Sequence, residues 1–549
     1  MDGEGKQTEA PGYNHIELQA SKINSPIDEG IAAVELEAGT MIASDDVMKY
    51  TQDDDEAMKA LASYDGPPLV LDDATNRRLL RTIDWHLMPV LFCVFGLNYL
   101  DKTTLSYASI MGLKEDINLK GDEYQWLGSI FYIGWLAWEY PTSRLLQLLP
   151  LAKYSAFCVT TWGIILTLFA TVSNFQGAVA IRFLLGVFEA ASMPAFALLS
   201  SQWYTVHEHN LRAGIWISAN GCGQIIGGLV AYGISRRLSE IDAAIAGWKV
   251  IFIATGCFTF KMLRFSMALK VCIGILFFVV IPDSQLNCRW LNERDRLLAI
   301  QRVRDNEQGI GNRHFKWYQF REALLDPLNW ALFMYGVLSD IPNGGLTNFF
   351  SQLIVSFGYT SQQSLLYGIP GGAVVIIACL SNGWAGDRYH NRTLVACIPM
   401  AVALIGIILI IALPTSGDGY NIGRLIGYYL TQAIPATGAT VLSLISSNIA
   451  GYTKKTTVAA LYLIGYCAGN IIGPQTFSPK DAPRYVPAEI TIMACFILCI
   501  CDLLFINWWC RRENRRKAGI RANAGYIRLQ NQGWRDFTDK ENPEFIYAL

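Results

Sequence analysis

Apolar residues come in twelve runs between Leu87 and Cys510, each parted from the next by a short polar stretch. The runs lie near 87–109, 125–147, 151–172, 177–200, 213–235, 249–281, 328–353, 364–384, 393–413, 424–446, 455–476 and 487–509. A helix climbs about 1.5 Å per residue, so roughly 20 apolar residues cross a hydrocarbon core of about 30 Å. The pattern predicts an all-α membrane protein with 12 transmembrane helices. Residues 283–327 carry both charge signs and divide six spans from six. The expected organisation is one six-helix bundle over 81–282, a cytoplasmic linker over 283–327 and a second bundle over 328–513, with tails at 1–80 and 514–549. In the linker, Leu291, Leu297, Leu298 and Ile300 share one face, which predicts short amphipathic helices at the membrane surface.

Composition narrows the class. The chain is 52% hydrophobic and 16% charged, with net charge −2, which argues against a nucleic-acid partner. Its 13 cysteines sit almost all inside the apolar runs without metal-ligand or disulfide spacing, and read as packing residues. No nucleophile with a base, metal cluster or phosphate loop appears, so no enzyme, cofactor or metal is expected. The first 80 residues hold 17 Asp and Glu against 6 Lys and Arg, with too few apolar residues to offset ordering entropy. They predict a disordered acidic tail, not a cleavable signal. With both termini cytoplasmic, the inner loops carry 12 Lys and Arg and the outer loops 6, the charge bias of cytoplasmic loops. A monomer in the plasma membrane is expected. The sequon Asn391-Arg392-Thr393 then faces inward and should be unused.

Six spans, a charged linker and six more resemble the plan of the major facilitator superfamily. After the eighth span, Gly383-Trp-Ala-Gly-Asp387-Arg388-Tyr-His390-Asn-Arg392 resembles that superfamily's Gly-x-x-x-Asp-Arg-x-Gly-Arg-Arg loop, with His390 in place of the second glycine. The matching loop after the second span, Tyr140-Pro-Thr-Ser-Arg144, is degenerate. Asp387, Arg388 and Arg392 at a helix end suit a latch that holds the inner gate shut in one state. Narrower stretches resemble the fungal allantoate permease group of the anion:cation symporter family. They are Asn98-Tyr-Leu-Asp101-Lys102, Arg182-Phe-Leu-Leu-Gly186-Val-Phe-Glu189, Ile341-Pro-Asn-Gly-Gly345 and Gly465-Tyr-Cys-Ala-Gly469-Asn-Ile-Ile-Gly473-Pro474. The resemblance covers about 85–513. It implies import of a small organic anion (allantoate, ureidosuccinate, vitamin acid or dipeptide) by proton symport with alternating access. Two alternatives stand beside it. An efflux antiporter of the same superfamily is disfavoured because Gly221–Gly228 lacks the Gly-Pro pair such antiporters tend to carry. A transport-inactive nutrient sensor is disfavoured because neither tail suggests a folded reporting domain.

Ionisable residues at membrane depth are costly and by default functional. The first span holds Asp101 and Lys102, the fourth Arg182 and Glu189, and the seventh Asp340; the resemblance implies that these spans, with the tenth, line a central cavity. Counting down from the outer ends puts Asp101 about 12 Å, Arg182 about 8 Å and Glu189 about 18 Å deep. Either Asp101 with Arg182, or Lys102 with Glu189, brace the bundle as structural pairs, or Arg182, and after it Lys102, receives the substrate carboxylate. In the second case the anion competes with Glu189 or Asp101 for the cation, and the released carboxylate takes up a proton. All six histidines lie in tails, loops or span edges, which leaves Glu189, Asp101 and Asp340 for proton coupling. Asn343 and Tyr99 are further substrate contacts, followed by Asn98, Asn348, Gln224 and Gln432. Pro342-Asn-Gly-Gly345 is expected to break the seventh span and line the cavity, and Pro435 to break the tenth. Gly465, Gly469 and Gly473 suit close helix packing. The sixth run is too long, with a ten-residue surplus at 261–270 containing Lys261, Arg264 and Lys270. It reads as an insertion, a coding-region artefact or an extruded break in the span.

Overall fold

The computed structural model describes residues 71–205, 208–241, 245–257, 277, 280–282, 285, 287–304, 315–389, 391–414, 418–523 and 537–549. The acidic segment before Leu71 and the surplus 261–270 lie outside them. Helix α1 spans Asp73–Ser109. It therefore begins inside the stretch expected to be disordered, because Leu79 and Ile83 are buried and anchor its first turns. Next come α2, Glu123–Leu148, and α3, Leu151–Leu168. The fourth span is two helices, α4 Phe175–Glu189 and α5 Ser192–Trp203, parted at Ala190 and Ala191. Helices α6, His209–Ile241, and α7, Gly247–Cys257, complete the described part of the first half. The linker forms α8, Glu293–Arg304, and α9, Trp317–Leu325. The second half holds α10 Pro327–Ser356, α11 Ser361–Tyr367, α12 Ile369–Tyr389 and α13 Arg392–Ala412. It ends with α14 Asp418–Thr431, α15 Pro435–Asn448, α16 Tyr452–Gln475 and α17 Val486–Arg521.

Seven stretches among the described residues are long and apolar enough to cross a membrane by length and composition alone. Helices α2, α6 and α10 fall outside that set because Gln125, Ser129, Ser218, Gln224, Asn329, Asp340 and Asn348 dilute their apolar residues. These seven are buried against other helices. Polar groups placed there face protein instead of hydrocarbon.

Glycines set how closely the helices approach. A Cβ on Gly465 would lie 2.6 Å from the Phe333 carbonyl oxygen, and one on Gly469 2.5 Å from that of Val337, so α16 lies backbone to backbone on α10. The expected break at Pro342 does not occur. Helix α10 runs through it, and Gly344 and Gly345 instead make room for Asn470 and Phe477. The tenth span is interrupted as expected, with Pro435 opening α15. In the first half, a Cβ on Gly186 would meet the Phe131 backbone carbonyl, which cannot step aside. Gly186→Ala is expected to lower stability by about 3 kcal/mol. Gly233→Ala, with nothing within 4 Å, serves as the silent control. Melting of both variants in detergent checks this.

The two halves are stitched together at the end of the bundle away from the linker. Ser106 Oγ donates to Ser351 Oγ (3.1 Å), Tyr124 Oη to the Asn348 carbonyl (2.8 Å), Lys114 Nζ to Gln352 Oε1 (2.7 Å) and Ser129 Oγ to the Ile471 carbonyl (2.7 Å). At the linker end each half has its own brace. The apolar face of Leu291, Leu297, Leu298 and Ile300 is buried. Arg302 Nε, on α8, reaches Asn76 Oδ1 of α1 at 2.7 Å. Helix α9 instead joins the second half, where Gln319 Oε1 accepts from the Thr453 N–H. The tail expected over 514–549 is partly built into the fold. Helix α17 continues to Arg521, and Asp539 lies 2.8 Å from the buried Lys454, which also meets Glu322 and Asp326 at 2.9 Å each.

Candidate functional site

The long side chains of Lys102, in the first span, and Glu189, in the fourth, meet between α1 and α4. Lys102 Nζ lies 3.1 Å from Glu189 Oε1, with Glu189 fully buried and Lys102 13% exposed. Of the two pairings left open by the sequence, this one forms. The ammonium also sits 4.8 Å above the Trp135 ring and 5.7 Å from those of Phe131 and Tyr132, so α2 supplies an aromatic wall for it. Asp101, buried beside it in sequence, accepts a hydrogen bond from Trp162 Nε1 at 2.7 Å.

Arg182 lies two turns before Glu189 on α4 and is 3% exposed. Its guanidinium rests 5.5 Å from the Phe169 ring. Its Nε and Nη2 have no hydrogen-bond partner among the described residues. A buried guanidinium with spare donors is costly unless something arrives to accept from it.

Across the interface, Asp340 on α10 is ringed by neutral donors. Its Oδ1 accepts from Asn470 Nδ2 (3.0 Å) and Asn343 Nδ2 (3.3 Å), and its Oδ2 from Ser339 Oγ (3.1 Å). Tyr132 of the first half and Tyr466 of the second stack edge-on at 6.0 Å between the two charged clusters. A narrow cleft is lined by residues that include Tyr99, Gln224, Asn343, Thr347, Tyr428 and Gln432. Gln224 Nε2 donates to Tyr428 Oη (3.1 Å) and to the Gly368 carbonyl (3.0 Å). Tyr99 and Asn343 thus share the cleft, whereas Lys102 and Arg182 stand outside its lining.

Asn348 turns back to its own helix, donating to the Gly344 carbonyl at 2.7 Å. In the loop after the eighth span, Arg392 Nη1 donates to Ser443 Oγ of α15 at 3.0 Å, and Arg388 is exposed. The Asp387 side chain and His390 lie outside the described residues. Sequence reasoning missed four residues. Asn470 and Trp162 carry no charge to mark them. Arg424 and Glu489, a buried pair 3.6 Å apart in the tenth and twelfth spans, were marked by the same intramembrane-charge rule that found Lys102.

Known proteins bear on this geometry. Residues 91–474 match the model of the Major Facilitator Superfamily. An uncharacterized transporter of Schizosaccharomyces pombe is 41% identical over 87% of this chain and 91% of its own length. The allantoate permease of Saccharomyces cerevisiae is 34% identical over 93% of both chains. A thiamine pathway transporter of the same yeast is 31% identical over 86% of both. Among solved structures, an inward-facing bacterial homologue of the human lysosomal transporter Spinster shares the fold. It has TM-score 0.53 and 14% identity, covering 80% of this chain and 97% of that one. The chain belongs to the Major Facilitator Superfamily, among the fungal relatives of allantoate permease, and is a multi-pass membrane transporter, not an enzyme.

Proposed function

We propose that this transporter imports a small organic anion together with protons, across the plasma membrane, as a monomer with both termini in the cytoplasm. The observation that carries the reading is the pairing of a buried cation that has spare donors, Arg182, with a second, Lys102, held by a buried carboxylate. A substrate carboxylate fits the fork of Arg182 or displaces Glu189 from Lys102. Glu189, no longer neutralised in an apolar setting, then takes up a proton, which makes anion and proton travel together. Asp340 and Asp101 are the further proton carriers, and Tyr99 and Asn343 hold the uncharged part of the substrate. Asp387, Arg388 and Arg392 gate the cytoplasmic side. In this orientation the hydrogen bonds around Ser106, Tyr124 and Lys114 close the outer gate. The name of one relative, the allantoate permease, favours that class of cargo.

Uptake of labelled allantoate, ureidosuccinate, nicotinate and a dipeptide, in yeast lacking its own permeases for them, tests this. One of the four is expected to accumulate, with its free acid competing and its methyl ester failing to compete. Arg182→Gln is expected to cut that uptake about 100-fold, equivalent to about 2.7 kcal/mol at a charge-assisted contact. Equal competition by the ester, or normal uptake by Arg182→Gln in a correctly localised protein, contradicts carboxylate recognition by this residue.

A further inference from the structure

We propose that Asn343, positioned by Asn470, is the switch through which cargo entering the cleft sets the proton on Asp340. Asn343 belongs to both places at once: it lines the cleft with Tyr99 and Gln432, and its amide reaches into the carboxylate cluster. Its Nδ2 lies 3.3 Å from Asp340 Oδ1 and 3.1 Å from Asn470 Oδ1, so both of its N–H groups are committed. Asn470 Nδ2 in turn donates to Asp340 Oδ1 at 3.0 Å and to the Tyr466 carbonyl at 2.9 Å, which fixes the amide in place. Gly469 permits this approach, since a Cβ there would stand 2.8 Å from Asp340 Cβ.

A carbonyl oxygen of an uncharged ureido or amide group in the cleft can be satisfied by Asn343 only if its side chain gives up one of its present acceptors. Taken from Asp340, the donor leaves a carboxylate with less support for its charge, and a proton replaces it. Departure of the cargo restores the bond and expels the proton. Lys102, Tyr132, Tyr335, Tyr462, Tyr466, Cys467 and Cys499 also face Asp340, and Lys102 is the one cation among them. The inference rests on Asp340 carrying a coupled proton.

Infrared titration of the purified full-length protein tests the switch without relying on transport. The protonated-carboxyl band missing from Asp340→Asn identifies the group. In Asn343→Ala and Asn470→Ala its midpoint is expected to rise by about one pH unit, a tenfold change in proton affinity. Allantoate or ureidosuccinate should move the wild-type midpoint the same way and leave that of Asn343→Ala unmoved. Unchanged midpoints in both alanine variants, or a wild-type shift that survives Asn343→Ala, overturn the switch. No band difference in Asp340→Asn overturns the role of Asp340 itself. Midpoints that move as expected in a protein whose uptake ignores pH support the amide switch and count only against proton symport.

Discussion

In a Lys102→Ala variant, uptake falls below about 1% of wild type and the protein loses about 3–5 kcal/mol of stability. The buried Glu189 then lacks the ammonium that lies 3.1 Å from it, and leaving one charge of a buried pair behind is costlier than removing both. The aromatic wall of Phe131, Tyr132 and Trp135 offers no substitute, since ring faces attract cations and not carboxylates. Lys102→Ala combined with Glu189→Ala is therefore expected to recover most of the stability while remaining inactive. Melting in detergent and uptake at matched surface expression read the two effects separately. Near-normal uptake by the single variant would show that the pair lies off the transport path.

Lys454→Ala has the second large effect, at the linker end of the molecule. Lys454 is fully buried, with Glu322, Asp326 and Asp539 all within 3 Å. Without it, three carboxylates converge on a site where Lys540, 3.2 Å from Asp326, and Lys517, which donates to the Asp539 carbonyl, are the neighbouring cations among the described residues. The repulsion is relieved by releasing the segment that carries Asp539. That segment is otherwise held by reciprocal hydrogen bonds between Asn448 and Ala548 and between Asn514 and Tyr547. A loss of about 3–5 kcal/mol is expected, with a C-terminal epitope cut by protease in the variant and protected in the wild type. Equal protection in both would show that the clamp does not depend on Lys454.

The sequence revealed the helices far better than their joints. Runs of twenty apolar residues leave little choice but to span, so α3, α13 and α17 were legible directly. The joint at Ala190 and Ala191 was not, because alanine carries no breaking signal, while Pro342 carried one that α10 absorbs. Charge depth, counted along helices, put Asp101 and Arg182 at similar heights and Glu189 deeper, so it could not choose Lys102 as the partner of Glu189. That choice depends on how each helix is rotated, which apolar content does not fix. Asn470 escaped for a related reason. An amide within a glycine-rich helix reads as packing until a carboxylate on another helix is known to face it. The C-terminal clamp was hidden because its partners, Asp326, Lys454 and Asp539, are far apart in the chain.

Proton-driven uptake is the central claim, and one measurement tests it most directly. Initial uptake of the labelled anion is followed in permease-deficient yeast at external pH 5 and pH 7, with and without an uncoupler. Uptake should be several-fold faster at pH 5, and the uncoupler should abolish accumulation above the external concentration. Accumulation that is indifferent to both pH and uncoupler, by a protein shown to reach the surface, would contradict proton symport.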